Sequence, residues 1–131
     1  MDDYILERFQ EGIDKFNAGL FYECHDILED VWFEIRGTSR RFYQGLIHLA
    51  VGFYHIQVRN NSKGAFSQLS KGIEKLSPYK PEFQGVDIDS LLTQIYGCMK
   101  IINEIQSGTI ETLDSAQIPK INFNRKQFVS Q

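Results

Sequence analysis

His25 and Glu29 stand four residues apart, so on a helix the imidazole and the carboxylate share a face and can hydrogen-bond, with Trp32 one turn further on. The carboxylate would raise the basicity of the ring and fix its tautomer. Gln44, His48 and His55 follow at steps of four and seven, which places them near one face of a second helix. If the two helices are antiparallel neighbours, these faces meet. Two chemistries fit the residues. One is a buried hydrogen-bonded cluster of His25, Glu29, Gln44 and His55 that fixes a unique core. The other is a divalent-metal site of His25, Glu29 and His55, two histidines and a carboxylate with open positions, serving a hydrolase or related enzyme. The chain lacks the His-Glu-x-x-His of zinc peptidases and the paired Glu-x-x-His of di-iron bundles, so a metal cofactor is not the favoured reading.

Other catalytic templates fail more clearly. Cys24 and His25 are adjacent and point about 100° apart on a helix, which excludes a nucleophile and base pair between them. No nucleophile elbow, phosphate-binding loop or dinucleotide glycine fingerprint is present. Arg36, Arg40 and Arg41 surround Gly37, the latter two at a helix N-terminus where the dipole disfavours cations. Something acidic should offset them: Asp30, Glu34 or a tail carboxylate, or else a small anion or a partner. Trp32 reads as a core anchor.

Net charge of −3 removes the broad electropositive footprint that nucleic-acid binding needs. The acidic start Met1-Asp2-Asp3-Tyr4 is unlike a signal peptide, and the longest apolar run, residues 46–54, is too short for a membrane span. Cys24 and Cys98 lack disulfide or zinc-knuckle spacing and read as buried reduced thiols, which together with the missing leader points to a cytoplasmic protein.

The elements that must position these residues follow from periodicity. Ile5, Phe9, Ile13 and Phe16 form the apolar face of a helix over about residues 3–18, capped by Asp2 or Asp3 and ended by Gly19. A second helix, about residues 21–36, buries Phe21, Cys24, Leu28, Val31 and Ile35 and ends at Gly37. Thr38 or Ser39 caps a third, running to about Arg59 and apolar nearly all round, hence the most buried. Asn60-Asn61-Ser62 breaks it, and a shorter fourth helix carries Ala65, Leu69, Ile73 and Leu76 before Pro78 and Pro81 stop it. Asp87 or Asp89 caps a fifth with Ile88, Leu92, Ile95, Met99 and Ile102. From Ser107 the pattern fades, and residues 118–123 read as an extended strap. No β-hairpin signal emerges. The expectation is all-α: a five-helix bundle of hairpins over residues 1–106, with a tail, residues 107–131, packed on the same domain.

The motif His-x-x-x-Glu-x-x-Trp, then an aromatic and Gln-Gly-Leu-Ile, then a later His, is met here by His25, Glu29, Trp32, Phe42, Gln44, Gly45, Leu46, Ile47 and His55. Phe16-Asn17-Ala18-Gly19 precedes it, and Asn61, Gly64 and Ala65 follow. In this combination the chain resembles the bacterial and plastid family of domain of unknown function 309. The family often has Gln where this chain has His48, so His48 stays outside the motif set. The resemblance implies a compact helical bundle and no particular activity. With six Tyr and ten Phe, more than a small core comfortably hides, the leading expectation is a non-enzymatic interaction or structural module that self-associates or takes a protein partner.

Overall fold

The structure, a computed structural model, describes residues 2–129. Five helices follow one another, α1 (Asp2–Asn17), α2 (Phe21–Glu34), α3 (Arg40–Gln57), α4 (Ser62–Leu76) and α5 (Ile88–Gln106), and each packs on the next in the chain. This is the expected all-α bundle of hairpins. Gly19 and Gly37, at φ +78° and +86°, supply the left-handed residues that turn the chain after α1 and α2. Asn61 and Asp87 cap α4 and α5 by accepting from the backbone N–H of Gly64 and Ser90, at 2.9 and 3.0 Å. Ser39 occupies the N-cap of α3. Asp2 and Asp3 are the first two residues of α1.

The helix α3 is the centre, burying Phe42, Tyr43, Leu46, Leu49, Ala50 and Phe53 completely. Aromatic rings fill both ends of the core. Phe9, Phe42 and Tyr43 stack edge-on at one end, and Phe16, Phe21 and Phe53 meet at the other. Nine of the ten phenylalanines are buried or half-buried, so the core hides more aromatic surface than the composition suggested.

One expectation is corrected between α4 and α5. A minimal antiparallel hairpin, β1 (Glu82–Phe83) and β2 (Val86–Asp87), turns on Gln84-Gly85, both at positive φ. Its turn residue is buried because Gln84 reaches the tail: the side-chain amide donates to the Val129 carbonyl at 2.9 Å, and its carbonyl accepts from the Val129 N–H at 2.8 Å. The tail is the strap that the sequence predicts. Leu113, Ile118 and Ile121 are buried, and Phe123 makes a single antiparallel bridge to Val86. At the far end of α1, Asn17 makes the same two-point clamp on Ile121, donating at 3.0 Å and accepting at 2.7 Å. That explains the Asn of Phe16-Asn17-Ala18-Gly19 as a fastener for a segment about a hundred residues away in the chain.

Candidate functional site

Around α2, at 100° per residue, Cys24, Leu28, Val31 and Ile35 centre the stripe that meets the core, all fully or nearly fully buried. His25 and Glu29 each follow a core residue by one position, so they stand a quarter-turn or more away from the centre of that stripe. The His25 ring is held at the rim of the α2–α3 seam, and Glu29 lies beyond it in solvent, half exposed. The expected pair forms, with His25 Nε2 3.3 Å from Glu29 Oε2. Its other nitrogen faces a carboxylate that the sequence reading missed, Asp26, at 3.2 Å. The buried polar cluster is therefore an edge cluster, because the apolar stripe of α2 claims the inward direction.

His55 comes to the same seam from α3. With Phe21, Tyr22, His25, Val51 and Tyr54 it lines a shallow cavity of about 210 Å³ whose walls are almost wholly apolar. The rings of Tyr22 and Tyr54 meet in its wall, their centroids 5.7 Å apart. The Nδ1 atom of His55 is buried and without a hydrogen-bond partner among the described residues. His25, Asp26 and Glu29 bring one ligand atom each within 4.8 Å of the others, and His55 is not part of that group. Beside the expected His25 and Glu29, the group thus holds Asp26 and not His55. Gln44 is half-buried on α3, one turn beyond Arg40. His48 turns the other way, where its Nδ1 meets Gln68 of α4 at 2.7 Å, so His48 and His55 serve two different seams.

Trp32 lies against the core, half-buried, and its outer face carries the Arg40 guanidinium 3.8 Å from the ring centroid. Its Nε1 is buried without a hydrogen-bond partner among the described residues. The three arginines are not offset by Asp30 or Glu34 as expected. Arg36 donates to the Phe33 and Ile35 carbonyls, and Arg40 to Ile35, so both close the open carbonyls at the end of α2. Arg41 faces Glu74 at 3.7 Å, and Asp30 is held by Arg8 of α1. Neither cysteine is a nucleophile at neutral pH: burial pushes the Cys24 thiol up to about 12 and the Cys98 thiol up to about 11.

Tyr22, His25, Asp26, Glu29 and Phe33 fall within about a 100° arc of α2 and form its outer stripe. Tyr22 and Phe33, at its two ends, are 56% and 68% exposed. The helix carries Glu23, Asp26, Glu29, Asp30 and Glu34 and no lysine or arginine. Only the helical spacing of Tyr22, Asp26 and Phe33 around the motif residues could have drawn this face from the sequence.

Among known proteins, an uncharacterized protein of Aquifex aeolicus is 26% identical over 101 residues, covering 74% of this chain and 30% of its own length. The uncharacterized protein YpuF of Bacillus subtilis is 29% identical over 93 residues, covering 66% of this chain and 53% of its own. The chain spans about a third and about half of the length of these curated relatives. Residues 9–67, which hold most of α1, all of α2 and α3 and the start of α4, match the family model described as Domain of unknown function (DUF309), the family that the motif resembles.

Proposed function

We propose that the protein is a non-enzymatic interaction module that works through the outer face of α2, and that the face docks a basic segment of another protein bearing apolar side chains. The observation that carries this reading is the coincidence on one helix of two exposed aromatics with five carboxylates and no lysine or arginine. Of those carboxylates, Asp30 alone is paired with a cation from another helix among the described residues. Exposed aromatic rings supply contact area at little entropic cost and are common energetic anchors of interfaces. A one-signed helix around them selects and steers a partner of opposite charge. The cavity of about 210 Å³ beside the Tyr22 and Tyr54 rings offers almost wholly apolar walls to such side chains. A second copy of this chain would bring the same acidic helix and a net charge of −3, so self-association through this face works against electrostatic repulsion.

Selection from a random-peptide display library against the tag-free protein tests the reading. Recovered peptides should be rich in Lys and Arg beside large apolar residues and should lose binding to the Asp26→Lys, Glu29→Lys variant. Peptides without basic bias, or binding that ignores the variant, would overturn it. A stable dimer in light scattering that the same variant dissociates would favour self-association instead.

A further inference from the structure

The same stripe has the chemistry of a metal centre, and an ion held there would use two of the carboxylates that the docking reading gives to a basic partner. We propose that His25, Asp26 and Glu29 bind a borderline divalent transition-metal ion, of which zinc is the simplest probe. One atom from each side chain already lies within 4.8 Å of the other two. Asp26 and Glu29 face opposite ring nitrogens of His25, at 3.2 and 3.3 Å, and donors sharing one ion at about 2.1 Å each stand no more than ~4.2 Å apart, so one carboxylate must rotate to the nitrogen that the other faces. The two carboxylates are free to make that rotation, being 57% and 50% exposed. The imidazole is the fixed ligand: it is half-buried at the rim of the seam, beside the Tyr22 ring at 6.2 Å between centroids.

The donor set decides the class of ion. One imidazole nitrogen with two carboxylate oxygens suits zinc, manganese or ferrous iron, whereas magnesium and calcium prefer all-oxygen shells. Charge favours occupancy. Two ligand carboxylates neutralise a dication, and Glu23 and Glu34 on the same helix, which lacks any Lys or Arg, add an attractive field. Three ligands from a single helix leave the outward positions of the ion to water or to a donor from outside.

Titration of the full-length, tag-free protein with zinc chloride by isothermal calorimetry tests the site, with circular dichroism to confirm that each variant is folded. One ion should bind per chain. His25→Ala, Asp26→Asn and Glu29→Gln should each weaken it by roughly tenfold or more, while His48→Gln and His55→Ala leave it unchanged. Absence of binding at millimolar zinc would overturn the proposal, as would binding that survives His25→Ala. Loss in His55→Ala with Asp26→Asn silent would replace this ligand set by His25, Glu29 and His55.

Discussion

The seam between α3 and α4 and the outer face of α2 belong to the same motif region and are built in opposite ways. In the seam, three glycines let two helices approach until a leucine of the facing helix fills the place of each missing Cβ. A Cβ on Gly45 would stand 2.7 Å from Leu76, one on Gly52 2.8 Å from Leu69, and one on Gly72 2.6 Å from Leu49. Every one of those leucines is fully buried. On α2, by contrast, Tyr22, Asp26, Glu29 and Phe33 face solvent, and the His25 pairings are local to the helix. The difference separates residues that a sequence motif presents side by side. Gly45, Leu46 and Ala65 are there to bring helices together and Gly64 leaves room for the Asn61 cap of α4, whereas His25 and Glu29 contribute little to packing and stand where a second molecule can reach them.

The comparison breaks most readily in the seam. Leu69→Ala should cost about 3 kcal/mol in urea unfolding, through lost burial and the cavity left between α3 and α4. Gly45→Val should cost about 2–3 kcal/mol by overpacking against Leu76, and trimming Leu76 to Ala in the same chain should cost less than the sum of the two single changes. Asn17→Ala removes both hydrogen bonds to Ile121 and should lose about 1–2 kcal/mol. Hydrogen exchange should then quicken over the strap, residues 107–129, and stay slow in α3.

Smaller effects sharpen the contrast. Burial holds the His48 imidazole below its ordinary value of 6.5, against the opposing hydrogen bond that the ring donates to Gln68 Oε1 and with Lys75 and Lys71 adding to the depression. The folded state therefore binds fewer protons than the unfolded chain below pH 6.5, so this contribution to stability is complete above that pH and declines as pH falls through it. His48→Gln should flatten the decline, as read from unfolding curves between neutral and mildly acidic pH. Least of all, Asp26→Lys with Glu29→Lys should leave the unfolding free energy within about 0.5 kcal/mol of the original, since neither side chain is packed.

The helices were legible because burial imposes a 3.6-residue period, and Gly19 and Gly37 mark ends where only a left-handed residue continues the chain. The hairpin was not. Two-residue strands are too short to show alternation, and Gln84 occupies a left-handed position that turns usually give to Asn, Asp or Gly. The Asn17 clamp on Ile121 is a contact between distant segments, for which local pattern carries no signal. At the candidate site, spacing alone revealed the His25 and Glu29 pair. Its depth in the fold was misjudged, because the core stripe passes through Leu28 and Val31 and leaves Glu29 a further 100° round the helix from Leu28. Asp26 escaped notice for a related reason: adjacent residues diverge on a helix, and only the two rotatable side chains bring His25 and Asp26 to 3.2 Å.

Most direct is a paired measurement on the Tyr22→Ala, Phe33→Ala variant: its unfolding free energy and its affinity for a selected Lys- and Arg-rich peptide. Stability within about 0.5 kcal/mol of the original, with affinity down at least tenfold, is the expected result for a face that serves binding and not folding. Unchanged affinity, or a stability loss as large as that of a core substitution, would contradict it.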